Sequence, residues 1–226
     1  MHAFLFDLDG TLIDSMPHHQ SAWDAWHARH DLPLDSDGFF AATAGRSNPE
    51  ILADLLPHLG AGEIQALADE KEALYRDFAV VSLDLIGGAR PFVDQARAAG
   101  MRLAICTAST PLNMKLAFKR HGVDGWVETV VSPADGLRGK PHPDIFLEAA
   151  RRLGIAPADC IVFEDAPLGV EAARRAGMKA VALTTTLPAE AFAAFDNLIA
   201  VAPDFTTLDP VALARGAAAT PSETRP

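Results

Sequence analysis

The chain has 226 residues, 49% of them hydrophobic, and a formal charge of -11. That length allows one large domain or a core domain with an inserted partner, and the apolar share can fill a core without disulfide or metal staples. The acidic balance excludes the electrostatic footprint of a nucleic-acid or anionic-membrane binder and favours a small, metal-complexed anion as partner. No apolar stretch approaches the roughly 20 residues of a membrane helix and no cationic leader precedes the first strand, so a cytoplasmic protein is expected. It is expected to act as a monomer, with a homodimer left open.

The first element is the apolar run Ala3, Phe4, Leu5, Phe6, which reads as a buried strand ending on Asp7, Leu8, Asp9, Gly10 and Thr11. Alternate residues of an extended chain point the same way, so Asp7 and Asp9 can face one ligand. Gly10 permits a turn and Thr11 adds a hydroxyl. One carboxylate can attack phosphorus while the other handles the proton. A calcium loop of the EF-hand type is excluded, because its twelfth position requires glutamate and here holds His18. The opening resembles motif I of the haloacid dehalogenase superfamily, whose members mostly hydrolyse or transfer phosphate through an aspartyl-phosphate.

Residues 15–83 read as helices punctuated by Pro17, Pro33, Pro49, Pro57 and the Gly60 to Gly62 turn, and so as a helical insertion. His19 and Trp23 lie four residues apart and can share one helix face, Arg46 sits in a polar turn, and Arg76 follows on a later helix. Each is a candidate substrate contact. The competing reading makes Trp23 part of a core and the arginines solvated surface. Gly87 and Gly88 mark the return to the core, either as a hinge or as a plain loop.

After the insertion, helix, glycine and apolar strand alternate, with Gly100, Gly122, Gly154 and Gly177 closing the helices. Continuous apolar strands between amphipathic helices predict about five parallel strands covered on both faces: an α/β, Rossmann-like, doubly wound sheet with an inserted helical cap. The core is expected over 1–14 and 84–215, the cap over 15–83, and a disordered tail over 216–226. Cys106 and Cys160 each lie in an apolar run and read as reduced core residues.

Ligands of such sheets bind at the carboxyl ends of the strands, and the polar residues fall there. Thr107 is followed by Ala108, Ser109, Thr110 and Pro111, hydroxyls and backbone donors at a helix start that suit phosphate; Ser109 or Thr110 could equally be an ordinary cap. Lys140, between Gly139 and Pro141, can be aimed by a stiff loop at a carboxylate and a phosphoryl group, whereas His142 reads as loop surface. Glu164 and Asp165 end a buried strand. Asp165 is either a helix cap or a magnesium ligand, and Mg²⁺ could be held by Asp7, the Asp9 carbonyl and Asp165, with Glu164 direct or through water.

Taken in order, Asp7 to Thr11, Thr107, Lys140, and Glu164 with Asp165 resemble the four haloacid dehalogenase motifs, and residues 15–83 lie where that family carries its C1 cap. The runs 139–146 and 164–171 are similar to the branch of β-phosphoglucomutase and small sugar-phosphate phosphatases. The resemblance implies Asp7 as nucleophile, Asp9 as general acid and base, Thr107 as phosphoryl ligand, Lys140 as the bridge to Asp7, and Asp165 as principal metal ligand. It implies a small phosphorylated metabolite as substrate and Mg²⁺ as cofactor. A phosphatase is the leading expectation, since the cap turn offers only Arg46 for a second phosphate. A phosphomutase is the first alternative, and a non-enzymatic phospho-receiver, with its own aspartate, threonine and lysine, is the second.

Overall fold

In this computed structural model, which describes residues 2–218, alternation along the first strand decides the layers. β1 (Ala3–Phe6) sends Phe4 and Phe6 into one apolar cluster and Ala3 and Leu5 into the other. Both are fully buried, as expected of a strand covered on two faces. The remaining strands are β2 (Arg102–Cys106), β3 (Thr129–Val131), β4 (Cys160–Glu164), β5 (Lys179–Leu183) and β6 (Leu198–Ala202). Every pairing is parallel and the spatial order is β3-β2-β1-β4-β5-β6.

Helices cover both faces. α5 (Ala89–Ala98), α6 (Pro111–His121) and α9 (Pro210–Ala218) close the Phe4 side, where Phe6 and Phe163 stack at 4.8 Å and Phe92 lies 5.0 Å from Phe205. α7 (Asp144–Leu153) and α8 (Pro167–Arg175) close the Leu5 side. Both cysteines are free and buried there. Burial pushes the Cys160 thiol up to about 12, which suits an inert core residue.

Between β1 and α5 the chain builds α1 (Met16–Arg29), α2 (Ser36–Thr43), α3 (Asn48–Leu55) and α4 (Ala61–Ala79). α1 packs along α4, burying Trp26 and Tyr75 between them. The two connections to the core are tied together: the Asp14 amide donates to the Asp84 carbonyl at 2.9 Å, and the Ile86 amide to the Leu12 carbonyl at 3.0 Å.

Two expectations need correction. The sheet has six strands among the described residues, one more than the sequence pattern suggested. β6 is an edge strand, half-buried over most of its length, and only a short 3₁₀ turn separates it from β5, with no glycine-closed helix between them. The segment expected to be a tail also begins later, since α9 includes residues 216–218; positions 219–226 lie outside the described residues. Gly88, a possible hinge, has φ 73°, and a Cβ there would meet the Thr206 backbone nitrogen at 2.8 Å. Close packing against the β6–α9 loop is reason enough for glycine.

Candidate active site

The strand order reverses between β1 and β4, and parallel sheets open a crevice at that point outside the carboxyl ends of the strands. Register fills the crevice with acid. Phe6 lies opposite Phe163 and Ile105, so the next residues, Asp7 and Glu164, emerge side by side with Thr107 just beyond β2. Asp9, Thr107, Lys140, Glu164 and Asp165 line one cavity of about 410 Å³ with Asp7, roofed by residues of α1, α3 and α4.

Lys140 joins the first carboxylates. Its Nζ contacts Asp7 Oδ1 and lies 2.5 Å from Glu164 Oε1, with all three groups buried. Burial drives the Asp7 carboxyl well above the usual range, Lys140 opposes this, and the charges of Glu164 and Asp165 add to it. The lysine experiences the reverse: burial disfavours its charge, but Asp7 and Glu164 outweigh that and hold it protonated. One cation thus serves three buried carboxylates. Burial first and Glu164 second push Asp165 up to about 7.

Asp165 does not cap α8. Its Oδ1 accepts from the Thr11 hydroxyl at 3.3 Å and its Oδ2 from Thr186, while the half-closed α8 start is met by Glu164, which accepts from the Ala166 amide at 3.4 Å. Gly10 makes this approach possible. With φ 76° and a Cβ position only 2.2 Å from Asp165 Oδ2, no side chain fits.

The Thr107 hydroxyl accepts from the Ser109 amide at 2.9 Å, turning the chain into α6, where Thr110 accepts from the Asn113 amide and Pro111 opens the helix. Thr107, Ala108 and Ser109 all line the cavity at this helix start, so the cap of the helix and an anion-facing wall are the same segment.

Asp9 belongs to a second group. His19 Nε2 lies 3.9 Å from Asp9 Oδ1, its Nδ1 is 2.7 Å from Lys71 Nζ, and its ring stacks on Tyr75 at 3.9 Å. Burial alone would raise the Asp9 carboxyl, but His19, Ser15 and Ser109 outweigh it and hold the group below the usual range.

The candidate cap contacts separate. His19, Trp23 and Arg46 line the cavity. Trp23 is also wedged against Trp26 and Phe39 and is only 4% exposed, so most of it is cap core. Arg46 is held by Asp54 at 2.6 Å. Arg76 does not line the cavity; its Nη1 donates to Asn113 Oδ1 at 3.1 Å, joining cap to core. Thr11 is fully buried behind Asp165 and also lies off the cavity wall.

Several neighbours escaped the sequence reading. Lys71 and Glu72 are buried beside each other at 3.2 Å, and Asn48 and Asn113 donate to the Glu72 carboxylate from either side. Their signal was present: Ile64, Ala68, Lys71, Glu72, Tyr75 and Ala79 form the buried stripe of α4, so a charged pair occupies the apolar face. Thr186 carried no comparable signal.

Residues 1–177 match the family model described as haloacid dehalogenase-like hydrolase. The chain belongs to this family. Within it, the chain is 33% identical to validoxylamine A 7'-phosphate phosphatase of Streptomyces hygroscopicus subsp. limoneus, over 86% of this chain and 91% of that protein. It is 32% identical to β-phosphoglucomutase of Bacillus subtilis over 80% of this chain and 82% of that one. Among solved structures, a HAD hydrolase of family IA, variant 3, from Entamoeba histolytica superposes with a TM-score of 0.88 at 26% identity, covering 97% of this chain and all of that one. Membership of a hydrolase family removes the ground for the non-enzymatic receiver reading. Among the described residues, no helix is long and apolar enough to cross a membrane.

Proposed function

We propose that the chain is a Mg²⁺-dependent phosphatase that hydrolyses a small phosphomonoester, a sugar phosphate or similar metabolite, through an aspartyl-phosphate on Asp7. The core would span 1–14 and 84–218, with the cap over 15–83. The observation that carries this reading is the split environment of the two motif I carboxylates: Asp7 is bound to Lys140, whereas Asp9 lies beside His19 at 3.9 Å on the same cavity. Attack and proton transfer need two such separately held groups.

Before the first half-reaction Asp7 must lose the proton that burial favours and Asp9, held ionised by His19, Ser15 and Ser109, must take one up. An Asp7 oxygen then bonds to phosphorus as the bond to the ester oxygen breaks, and Asp9 gives that oxygen its proton. In the second, Asp9 takes a proton from water, the water oxygen attacks phosphorus, and the bond to Asp7 breaks to release inorganic phosphate. Lys140 and the Thr107 to Ser109 segment hold the phosphoryl oxygens throughout. Thr11 supports Asp165 from behind rather than touching the substrate.

No group of three or more His, Cys, Asp or Glu side chains among the described residues forms a ready-made metal centre. Mg²⁺ does not require one, since it keeps several waters and uses one or two carboxylates with the substrate phosphate. The buried carboxylates of Asp7 and Asp165, both driven upward in pKa, form a donor set short of positive charge and fit that demand. Asp7, the Asp9 carbonyl and Asp165 would hold the ion, with Glu164 direct or through water. Its contribution when bound is to offset the negative charge of the phosphoryl group.

The test is chemical trapping. Acid-quenched enzyme mixed with a ³²P-labelled monoester should carry hydroxylamine-sensitive label, and Asp7→Asn should carry none while losing roughly 10³-fold or more in turnover. Asp9→Asn should lose about 10²- to 10⁴-fold. Substantial turnover by Asp7→Asn sinks the covalent route. A phosphomutase, favoured by the likeness to β-phosphoglucomutase, would instead isomerise a sugar phosphate in the presence of a bisphosphate primer and release little inorganic phosphate.

A further inference from the structure

Among the described residues, every lysine and arginine facing the cavity is already engaged. Lys140 serves Asp7 and Glu164; Lys71, only 1% exposed, serves Glu72 and His19; and Arg46 is bound to Asp54. The cap wall opposite the reaction centre carries acid instead, from Glu72 and from the exposed Asp69 on α4. Amides flank these acids: Gln65 donates to Asp69 at 2.9 Å, and Asn48 and Asn113 donate to Glu72.

Glu72 accepts three donors here, from Asn48, Lys71 and Asn113, and an ionised carboxylate offers about four acceptor sites. One site remains for a donor from the cavity. A hydroxyl can fill it. A phosphate cannot, because it brings only acceptors and charge of the same sign into a buried setting.

Resting on the phosphatase reading, we propose that Glu72 is a specificity-determining residue: it accepts a hydroxyl of a singly phosphorylated polyol and excludes substrates that carry a second phosphate. The discrimination works by repulsion as much as by attraction. Asp69 adds to it at longer range from the cavity rim. Arg46 could oppose it, by leaving Asp54 for a second phosphate.

The experiment compares kcat/KM for p-nitrophenyl phosphate, sorbitol 6-phosphate and fructose 1,6-bisphosphate at matched ionic strength and saturating Mg²⁺. The wild type should favour sorbitol 6-phosphate over the bisphosphate by about 100-fold, and Glu72→Gln should narrow that ratio about tenfold, chiefly through a lower KM for the bisphosphate. Asp69→Asn, at an exposed position, should narrow it less. A residue that only props up the cap would lower both substrates together and leave the ratio intact. That result in both variants overturns the proposal, as does a wild type that takes the bisphosphate equally well. If Glu72→Gln fails to fold, an unchanged ratio in Asp69→Asn overturns it. Hydrolysis of p-nitrophenyl phosphate with the wrong ratio would leave the phosphatase reading standing, whereas no hydrolysis of any probe removes both.

Discussion

At Gly10 a single hydrogen in place of a side chain decides where Asp165 can sit. A Cβ there would overlap the carboxylate, and the backbone is left-handed. Gly10→Ala should therefore cost about 1 to 3 kcal/mol, the usual range for a residue forced into a disfavoured conformation, and should displace Asp165 as well. Thermal melts check the first effect, and a rise in the Mg²⁺ needed for half-maximal activity checks the second. Unchanged values in both would mean that the turn yields freely. Asp165→Asn isolates the metal effect, because Thr11 and Thr186 can still bond the amide. It should weaken Mg²⁺ binding about tenfold or more by calorimetry with little loss of stability. Normal Mg²⁺ affinity would remove Asp165 from the ligand set.

The elements differ in how openly the sequence announces them. β1 is short and wholly apolar with Asp7 after it, and β4 is apolar up to Glu164, so both the strands and the chemistry at their ends could be read directly. β6 could not, because an edge strand buries little and its lead-in lacks the glycine-closed helix. In α4 the helical character was legible but the charged pair was not singled out, although Lys71 and Glu72 interrupt its apolar face. The convergence of Asp9, His19, Lys71 and Glu72 depends on how α1 and α4 pair, which no local pattern encodes. The Lys71–Glu72 pair is felt unequally. Burial outweighs Glu72 and pulls the lysine down, whereas Lys71, His19 and the amides of Asn113 and Asn48 overcome burial at Glu72 and hold its carboxyl below the usual range. A carboxyl depressed on folding stabilises fully above its unfolded value, and that contribution is lost as pH falls through the folded one. The melting margin of wild type over Glu72→Gln should thus be full at pH 7 and shrink below about pH 4. A margin that is the same at both pH values would show that Glu72 contributes packing rather than charge.

Across the whole molecule, the cavity belongs half to the core and half to the cap, so access must depend on how the two are held. Asn113 of α6 is the hinge of that grip: its amide donates to Glu72 and its carbonyl accepts from Arg76, both on α4. The covalent connections are tied to each other at Leu12 to Asp14 and Asp84 to Ile86, and α6 adds contacts along the cap, His121 meeting the Leu83 carbonyl at 2.7 Å near those connections and Asn113 clasping α4 at its other end. A cleft of about 410 Å³ suits a small metabolite rather than a folded phosphoprotein. Closure over such a ligand would exclude water and position it. Asn113→Ala opens the clasp without removing any group that bonds the phosphoryl centre. We expect it to raise KM for a sugar monophosphate about tenfold while lowering kcat less, because the open form binds poorly but reacts once shut. Small-angle scattering should show a larger radius of gyration for the variant than for wild type when both are saturated with inorganic phosphate. If KM and the radius both stay at wild-type values, the clasp is a passive contact, and the cap must be held over the cavity by its packing alone.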